Sequence, residues 1–166
     1  ALFTTVGENG SIKNLTMEGV FVSGDEDVAG LAANVTANGA PGFVFQNIHT
    51  EGWVSATGQA SGLLAGNVYL ANDISNVSAA GEVNGKNYQG GLMGLVQGGS
   101  QISEASADVK VYSTLYSIYV GGLIGGVLDT STLSHSHASG PVTQQGLNSN
   151  AIGGLVGHGR NVSNSY

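Results

Sequence analysis

The chain has 166 residues, 11 acidic and 4 basic side chains for a formal net charge of −7, and no cysteine. The four cations, Lys13, Lys86, Lys110 and Arg160, are spread along the chain, so a nucleic-acid backbone would be repelled and finds no basic patch. Disulfides and thiolate metal sites are excluded, and no apolar run reaches the roughly 18 residues that a membrane-crossing helix needs. Charged residues make up 9% against 41% hydrophobic, the opposite of the balance that keeps chains disordered. With 28 glycines and only 2 prolines, the composition fits many strands joined by tight turns. A chain that opens at Ala1, without Met or a signal peptide, is expected to be a processed chain or part of a longer one.

The opening stretch LFTTVGENGSIKN, residues 2–14, lacks the glycine–leucine text that follows, and residues 1–27 are expected to form a capping or first repeat. A short motif then recurs: Ala29-Gly30-Leu31, Ser61-Gly62-Leu63, Gly90-Gly91-Leu92, Gly121-Gly122-Leu123 and Gly153-Gly154-Leu155, with leucine-to-leucine steps of 32, 29, 31 and 32 residues. A fixed period between roughly 20 and 50 residues marks stacked supersecondary units. A second anchor alternates with it, starting at Ile12, Phe45, Ile74, Ile102, Leu133 and Val162. Its apolar or small residues fall at positions 1, 4, 6, 8 and 10, in the third copy Ile74, Val77, Ala79, Gly81 and Val83.

Period two from position 4 onward predicts a strand with one buried face. The step from position 1 to 4 breaks that alternation, so the chain must bend at position 3. There stand Asn14, Asn47, Asn76, Glu104, His135 and Asn164. Asparagine tolerates left-handed backbone and bonds locally, and stacking would bring these side chains to about 4.8 Å from one another, close enough for an amide ladder. The column reads as structural.

A unit of about 30 residues without helical periodicity cannot bury its apolar face alone, but a stack supplies neighbours above and below. The expected fold is all-β, a right-handed parallel β-helix or β-solenoid of five to six such rungs, as one repeat domain over residues 1–166. Each Gly-Leu segment is read as a strand. Two columns should be buried: Leu31, Leu63, Leu92, Leu123 and Leu155, and the six residues that start the second anchor. The residue after each leucine (Ala32, Leu64, Met93, Ile124, Val156) either faces out as an apolar stripe or enters the core at a corner that the preceding glycine permits. The stop at Tyr166, in mid-strand, implies a cut from a longer chain or completion by another subunit.

The runs GGLVGHGRNVSNSY (153–166), VGGLIGGV (120–127) and QGGLMGLV (89–96) resemble the GLUG repeat of bacterial surface and secreted proteins. The resemblance extends over nearly the whole chain, from about Leu2. It implies a β-solenoid segment of an adhesin-like or immunoglobulin-protease-like exported protein, and no catalytic residues come with it. Glu104 and His135 in the asparagine column, and the tyrosine-rich insert 111–119, depart from the motif.

Candidate chemistry is sparse. Glycoside hydrolysis needs two carboxyl groups facing one bond, and only Glu18 and Glu51 share a column in adjacent repeats, where they read as solvated face. Asp25 and Asp27 flank Glu26 in an acidic turn that offers oxygen ligands of the kind Ca²⁺ takes; a solvated loop is the alternative, and no cofactor is otherwise expected. His49 and His137 share a column three repeats apart, about 14 Å by strand spacing, too far for one metal. Glu104 and His135 should be rung neighbours, as a hydrogen-bonded pair or, with His137, a metal site, although zinc takes three or four ligands. Sequons stand at Asn14, Asn34, Asn76 and Asn161, with Asn34 and Asn161 assigned to loops.

Tyr88 and Tyr119 each lie four residues before a motif leucine, where other units have Asp27, Gln59 and Ala151, and Tyr112 and Tyr116 lead into Tyr119. Tyrosine pairs a flat apolar ring with a polar tip, suited to sugar faces. These four are the candidate ligand-binding residues, unless the rings only cover a bare loop. The expected function is a non-catalytic extracellular or cell-surface module, a stalk or an adhesive segment whose partner is a surface glycan or a receptor on another cell. Two alternatives stand beside it: a filament subunit assembling end to end or side by side through open strand edges, and a polysaccharide-active enzyme. Neither nucleic acid nor membrane insertion is expected.

Overall fold

The structure, a computed structural model, describes residues 1–37, 43–114, 117–145 and 150–166, the side chain of Asn72 excepted. Among the described residues every regular element is a β-strand. The strands form three sheets that the chain visits in rotation. The first takes the short strands Phe3–Val6, Ala32–Thr36, Ala65–Tyr69, Met93–Gln97, Ile124–Val127 and Val156–Gly159. The second takes the long strands Ser11–Gly24, Phe43–Ala56, Ala71–Gly85 and Gln101–Ser113, then Thr132–Ser134 and Val162–Ser163. Two further short strands, His137–Ala138 and Val142–Gln144, also pair onto Gln101–Ser113. The third takes Val28–Ala29, Ala60–Gly62, Tyr88–Gly90, Tyr119–Gly121 and Ala151–Gly153. Neighbours pair in parallel, one circuit apart. The chain is a β-solenoid of about five turns.

The second-anchor column is in register: Ile12 pairs with Phe45, Phe45 with Ile74, Ile74 with Ile102, Ile102 with Leu133 and Leu133 with Val162. The four central members are buried, Ile12 is partly covered, and Val162 is 38% exposed. Burial fails at the ends of the column because a terminal residue has a stacked neighbour on one side only.

The Gly-Leu motif is a corner between two sheets rather than a strand. The third-sheet strands end at Gly62, Gly90, Gly121 and Gly153, and the first-sheet strands begin three residues later. A Cβ on Gly90, Gly121 or Gly153 would lie 2.0–2.1 Å from the carbonyl oxygen of Met93, Ile124 or Val156, so only glycine turns this tightly. The corner sends both the leucine and its successor inward: Leu92, Met93, Leu123 and Ile124 are fully buried. The apolar stripe is therefore absent at these residues.

The register also corrects the repeat alignment. Ala32 pairs with Ala65 and Ala65 with Met93, so the leucine column runs Leu31, Leu64, Leu92, Leu123, Leu155. It is joined by backbone bonds from Leu64 N to Leu92 O, Leu92 N to Leu123 O and Leu123 N to Leu155 O, each 2.9 Å. Leu63 stands instead at the glycine position of Gly30, Gly91 and Gly122. That position faces the long-strand sheet: a Cβ on Gly91 would come 2.8 Å from Val109 Cβ. In the second turn the long-strand sheet presents Gly52 and Gly81 in the Val109 column, and Leu63, fully buried, occupies the place.

The bend column has left-handed backbone at every member: φ is 55° at Asn14, 55° at Asn47, 50° at Asn76, 52° at Glu104, 50° at His135 and 48° at Asn164. Asn76 Nδ2 donates to Asn47 Oδ1 (2.7 Å) and Asn47 Nδ2 to Asn14 Oδ1 (2.9 Å). The ladder stops at Glu104, which makes no hydrogen bond to His135; the next contact is Asn164 Nδ2 to His135 Nε2 at 3.5 Å.

Two stability outcomes follow. Leu123→Ala should cost about 2–5 kcal/mol, as buried leucine truncations do, whereas Val162→Ala should cost about 0.5 kcal/mol or less; equilibrium urea unfolding measures both. Asn76→Ala should cost about 1 kcal/mol more than Asn76→Gly, because both lose the ladder amide but only alanine bears the left-handed backbone penalty. Equal midpoints for the two would show that the bend is not strained.

Candidate functional site

The outer face of the long-strand sheet carries an aromatic pair that the repeat alignment hides. Met17 pairs with Thr50 but Val20 pairs with Gly52, so Glu18 and Gly19 together face Glu51. This is a β-bulge, with Gly19 at φ 66°, and one inserted residue moves everything after it to the opposite face. Counted from Ile12 without the bulge, Phe21 would meet the buried Val54. With it, Val22 pairs with Val54 and Phe21 pairs with Trp53 on the outside. The two rings stack with centroids 4.6 Å apart and planes 17° from parallel. Phe21 is 77% exposed.

Beside this pair runs an open trough of about 530 Å³. One wall is the register column Trp53, Glu82, Lys110; the other includes Ala80 and Asp108. The Glu82 carboxylate accepts from Asn84 Nδ2 (2.8 Å) and the Asp108 carboxylate from Ser139 Oγ (3.3 Å). The bulge leaves Glu18 opposite Glu51, as the sequence implies, and displaces only the residues from Val20 onward.

Tyr88 and Tyr119 pair in register on the third sheet, with rings edge to face and centroids 5.6 Å apart. Tyr88 is matched one turn below by Ala60, not Gln59, and Tyr119 one turn above by Ala151. Tyr119 also stacks on His158, 4.6 Å away and 16° from parallel, so one of its faces is already occupied. Both rings lie over the bare backbone at Gly126, where a Cβ would come 3.4 Å from Tyr119 and 3.7 Å from Tyr88. Tyr112 belongs to the long-strand sheet, 36% exposed and paired with Asn84 and Thr143, and so is not part of that strip. Tyr116 lies outside the described residues.

The remaining candidates are placed singly. His49 Nδ1 bonds Ser78 Oγ at 2.8 Å, and His137 stacks on Tyr166. Among the described residues no group of three or more His, Cys, Asp or Glu is positioned around one point. Asn161 donates to Ser131 O, while Asn34 lies in the strand Ala32–Thr36 rather than a loop. Gln89 is fully buried and donates to Ser117 Oγ (3.1 Å); its Oε1 and Ser61 Oγ have no partner among the described residues.

Asp25 accepts from Thr57 Oγ1 at 2.6 Å. Asp27 accepts from the Asn34 side chain and the Ala60 backbone, yet burial pushes its carboxyl above the ordinary carboxylate range, and Glu26 nearby adds to the rise. The folded state then binds this proton more tightly than the unfolded state does. The resulting stabilisation is present below the ordinary value of 3.8 and is lost as pH rises through the raised one. Asp27→Asn should remove that step: denaturant midpoints of wild type should fall relative to the variant as pH climbs from acid toward neutrality.

Comparison with known proteins adds two findings. The family model described as the GLUG motif matches residues 116–143. The chain is also 34% identical over 173 aligned positions, 94% of its own length, to halomucin of Haloquadratum walsbyi, of which it spans only 2%. No solved structure matches significantly. The matched segment takes in Tyr119–Gly121, the corner at Leu123, Ile124–Val127 and the long-sheet strands as far as Val142, so the motif corresponds to one circuit of the three sheets, and over residues 116–143 this chain carries the GLUG motif.

Proposed function

We propose that the chain is a non-catalytic extracellular β-solenoid module, one that spaces and presents an adhesive surface within a surface protein. The observation that carries this reading is the distribution of chemistry around the stack. Aliphatic columns fill the interior, while many polar groups outside bond to the adjacent turn, as Asn47, Asn76, His49 and Asp108 do. A hydrolase acting on polysaccharide needs two converging carboxyl groups. Here Glu18 and Glu51 face each other at a bulge on the outer side of the sheet. Glu82 and Asp108 line one trough but each accepts from a protein donor, Asn84 and Ser139, and Asp25 and Asp27 are held by Thr57 and Asn34. The GLUG match and the relative named halomucin support the extracellular setting.

A second reading is end-to-end assembly through the last turn. Ile152 is 45% exposed and Val162 38%, although their counterparts Val120 and Leu133 in the preceding turn are fully buried. A further turn laid on these positions would cover them, whether it comes from more of the same chain or from another copy, and only the second makes a filament. Sedimentation velocity distinguishes this: concentration-dependent growth lost in Ile152→Ser/Val162→Ser would support assembly, and a monomer at all concentrations would exclude it.

The main reading is tested on cells that make the parent protein. Antibodies raised against the purified module should label intact cells, and external protease should remove the label. Labelling that appears only after permeabilisation would contradict the extracellular assignment.

A further inference from the structure

Building on the extracellular adhesive reading, we infer that the trough beside Trp53 is a binding site for neutral oligosaccharide. Its floor is bare backbone. Gly52 and Gly81 sit at φ 153° and 127°, and a Cβ on Gly81 would lie 2.0 Å from the Gly52 carbonyl oxygen, one on Gly52 2.1 Å from that of Val20. Side chains are therefore excluded at both positions, and a depression opens between the two outer columns of the long-strand sheet.

At one end stands the stacked pair Phe21 and Trp53. The rings lie face to face, so Phe21 covers one side of the indole. The side of Trp53 that lines the trough is left as an apolar surface for the C–H face of a sugar ring, and the indole N–H adds a donor. Farther along, the walls supply the groups that sugar hydroxyls bond. Glu82 and Asp108 are acceptors, each held by one protein donor and each with lone pairs to spare. The Lys110 ammonium, exposed and with no bonding partner among the described residues, is a donor. The indole and the polar wall lie on consecutive turns, about 4.8 Å apart, so a linear saccharide can rest on Trp53 and reach the polar groups together.

Charge decides which saccharide. Glu51, Glu82 and Asp108 line this part of the sheet against one Lys110, and the whole chain carries −7; uronate, sulfated or sialylated sugars are repelled. The same sign argues against a second copy of the chain, which would bring its own carboxylates onto these. Phe43–Ala56 and Ala71–Gly85, which carry the trough, are hydrogen-bonded on both sides and give an added peptide strand no edge; the open edge is that of Ser11–Gly24, on the far side of Phe21 from the trough.

Trp53 is the sole tryptophan, so its fluorescence reports this site directly. Titration of the intact chain with neutral hexaoses of glucose, mannose and N-acetylglucosamine should give a saturable emission change with at least one of them, and none with hexagalacturonate. A neutral-glycan array should show the same preference. Phe21→Ser, at a position 77% exposed, removes the ring that backs the indole and should weaken binding about threefold or more. Trp53→Ala, which has no tryptophan left to report, should abolish binding on the glycan array. Tyr88→Phe, on another sheet, should leave binding unchanged. The inference is overturned if no neutral saccharide binds, if only anionic ones bind, if binding follows Tyr88 rather than Phe21, or if the Trp53 signal tracks self-association alone. Surface labelling without saccharide binding would remove this site and leave the module reading standing; binding at Trp53 by a protein found inside cells would do the reverse.

Discussion

The whole structure depends on one backbone arrangement, the parallel ladder that joins each strand to its counterpart a circuit later in all three sheets. A parallel pair needs a crossover connection, and here the other two sheets of the same turn serve as that connection. Once the ladder is set, side chains fall into columns, and each inward column must hold residues of matching size. The corners follow from the same constraint. Turning from the third sheet to the first within three residues leaves no space for a Cβ at Gly90, Gly121 or Gly153. Much of the glycine content is thus set by geometry.

Most of this was legible in the sequence because it repeats. Period two in the second anchor identified the buried face of the long strands, and the break at position 3 located the bend at Asn14, Asn47, Asn76, Glu104, His135 and Asn164, all with positive φ. What the text hid were single-residue shifts. The run Ser61-Gly62-Leu63-Leu64 offers two alignments of a glycine followed by leucine. Only the facing Gly52 and Gly81 show why Leu63 takes the glycine place and Leu64 the column. The bulge at Glu18–Gly19 is equally silent, since Gly19 aligns by eye with Gly52 while the ladder pairs Val20 there.

That second shift matters for function. A strand has two faces, and one inserted residue exchanges them. Phe21 reads as a core residue by its count from Ile12 and stands in solvent against Trp53. The tyrosines show the opposite case. Tyr88 and Tyr119 are neighbours, as their spacing from the leucines implied, but their rings are spent on each other, on His158 and on the bare backbone at Gly126. Tyr112 was grouped with them by closeness in sequence, yet the chain passes from one sheet to another between Tyr112 and Tyr119. In a solenoid, residues a turn apart are neighbours, and residues a few positions apart can lie on different faces.

The claim that one continuous ladder holds the stack is tested most directly by native-state hydrogen exchange, read residue by residue. The amides of Leu64, Leu92 and Leu123 each donate to the next turn from a fully buried corner. They should be the slowest to exchange, should exchange together, and should follow global unfolding as denaturant is added, with the last turn, from Ala151 to Ser163, exchanging sooner. Rapid and independent exchange at these three leucines, at rates like those of the surface turns, would contradict the account.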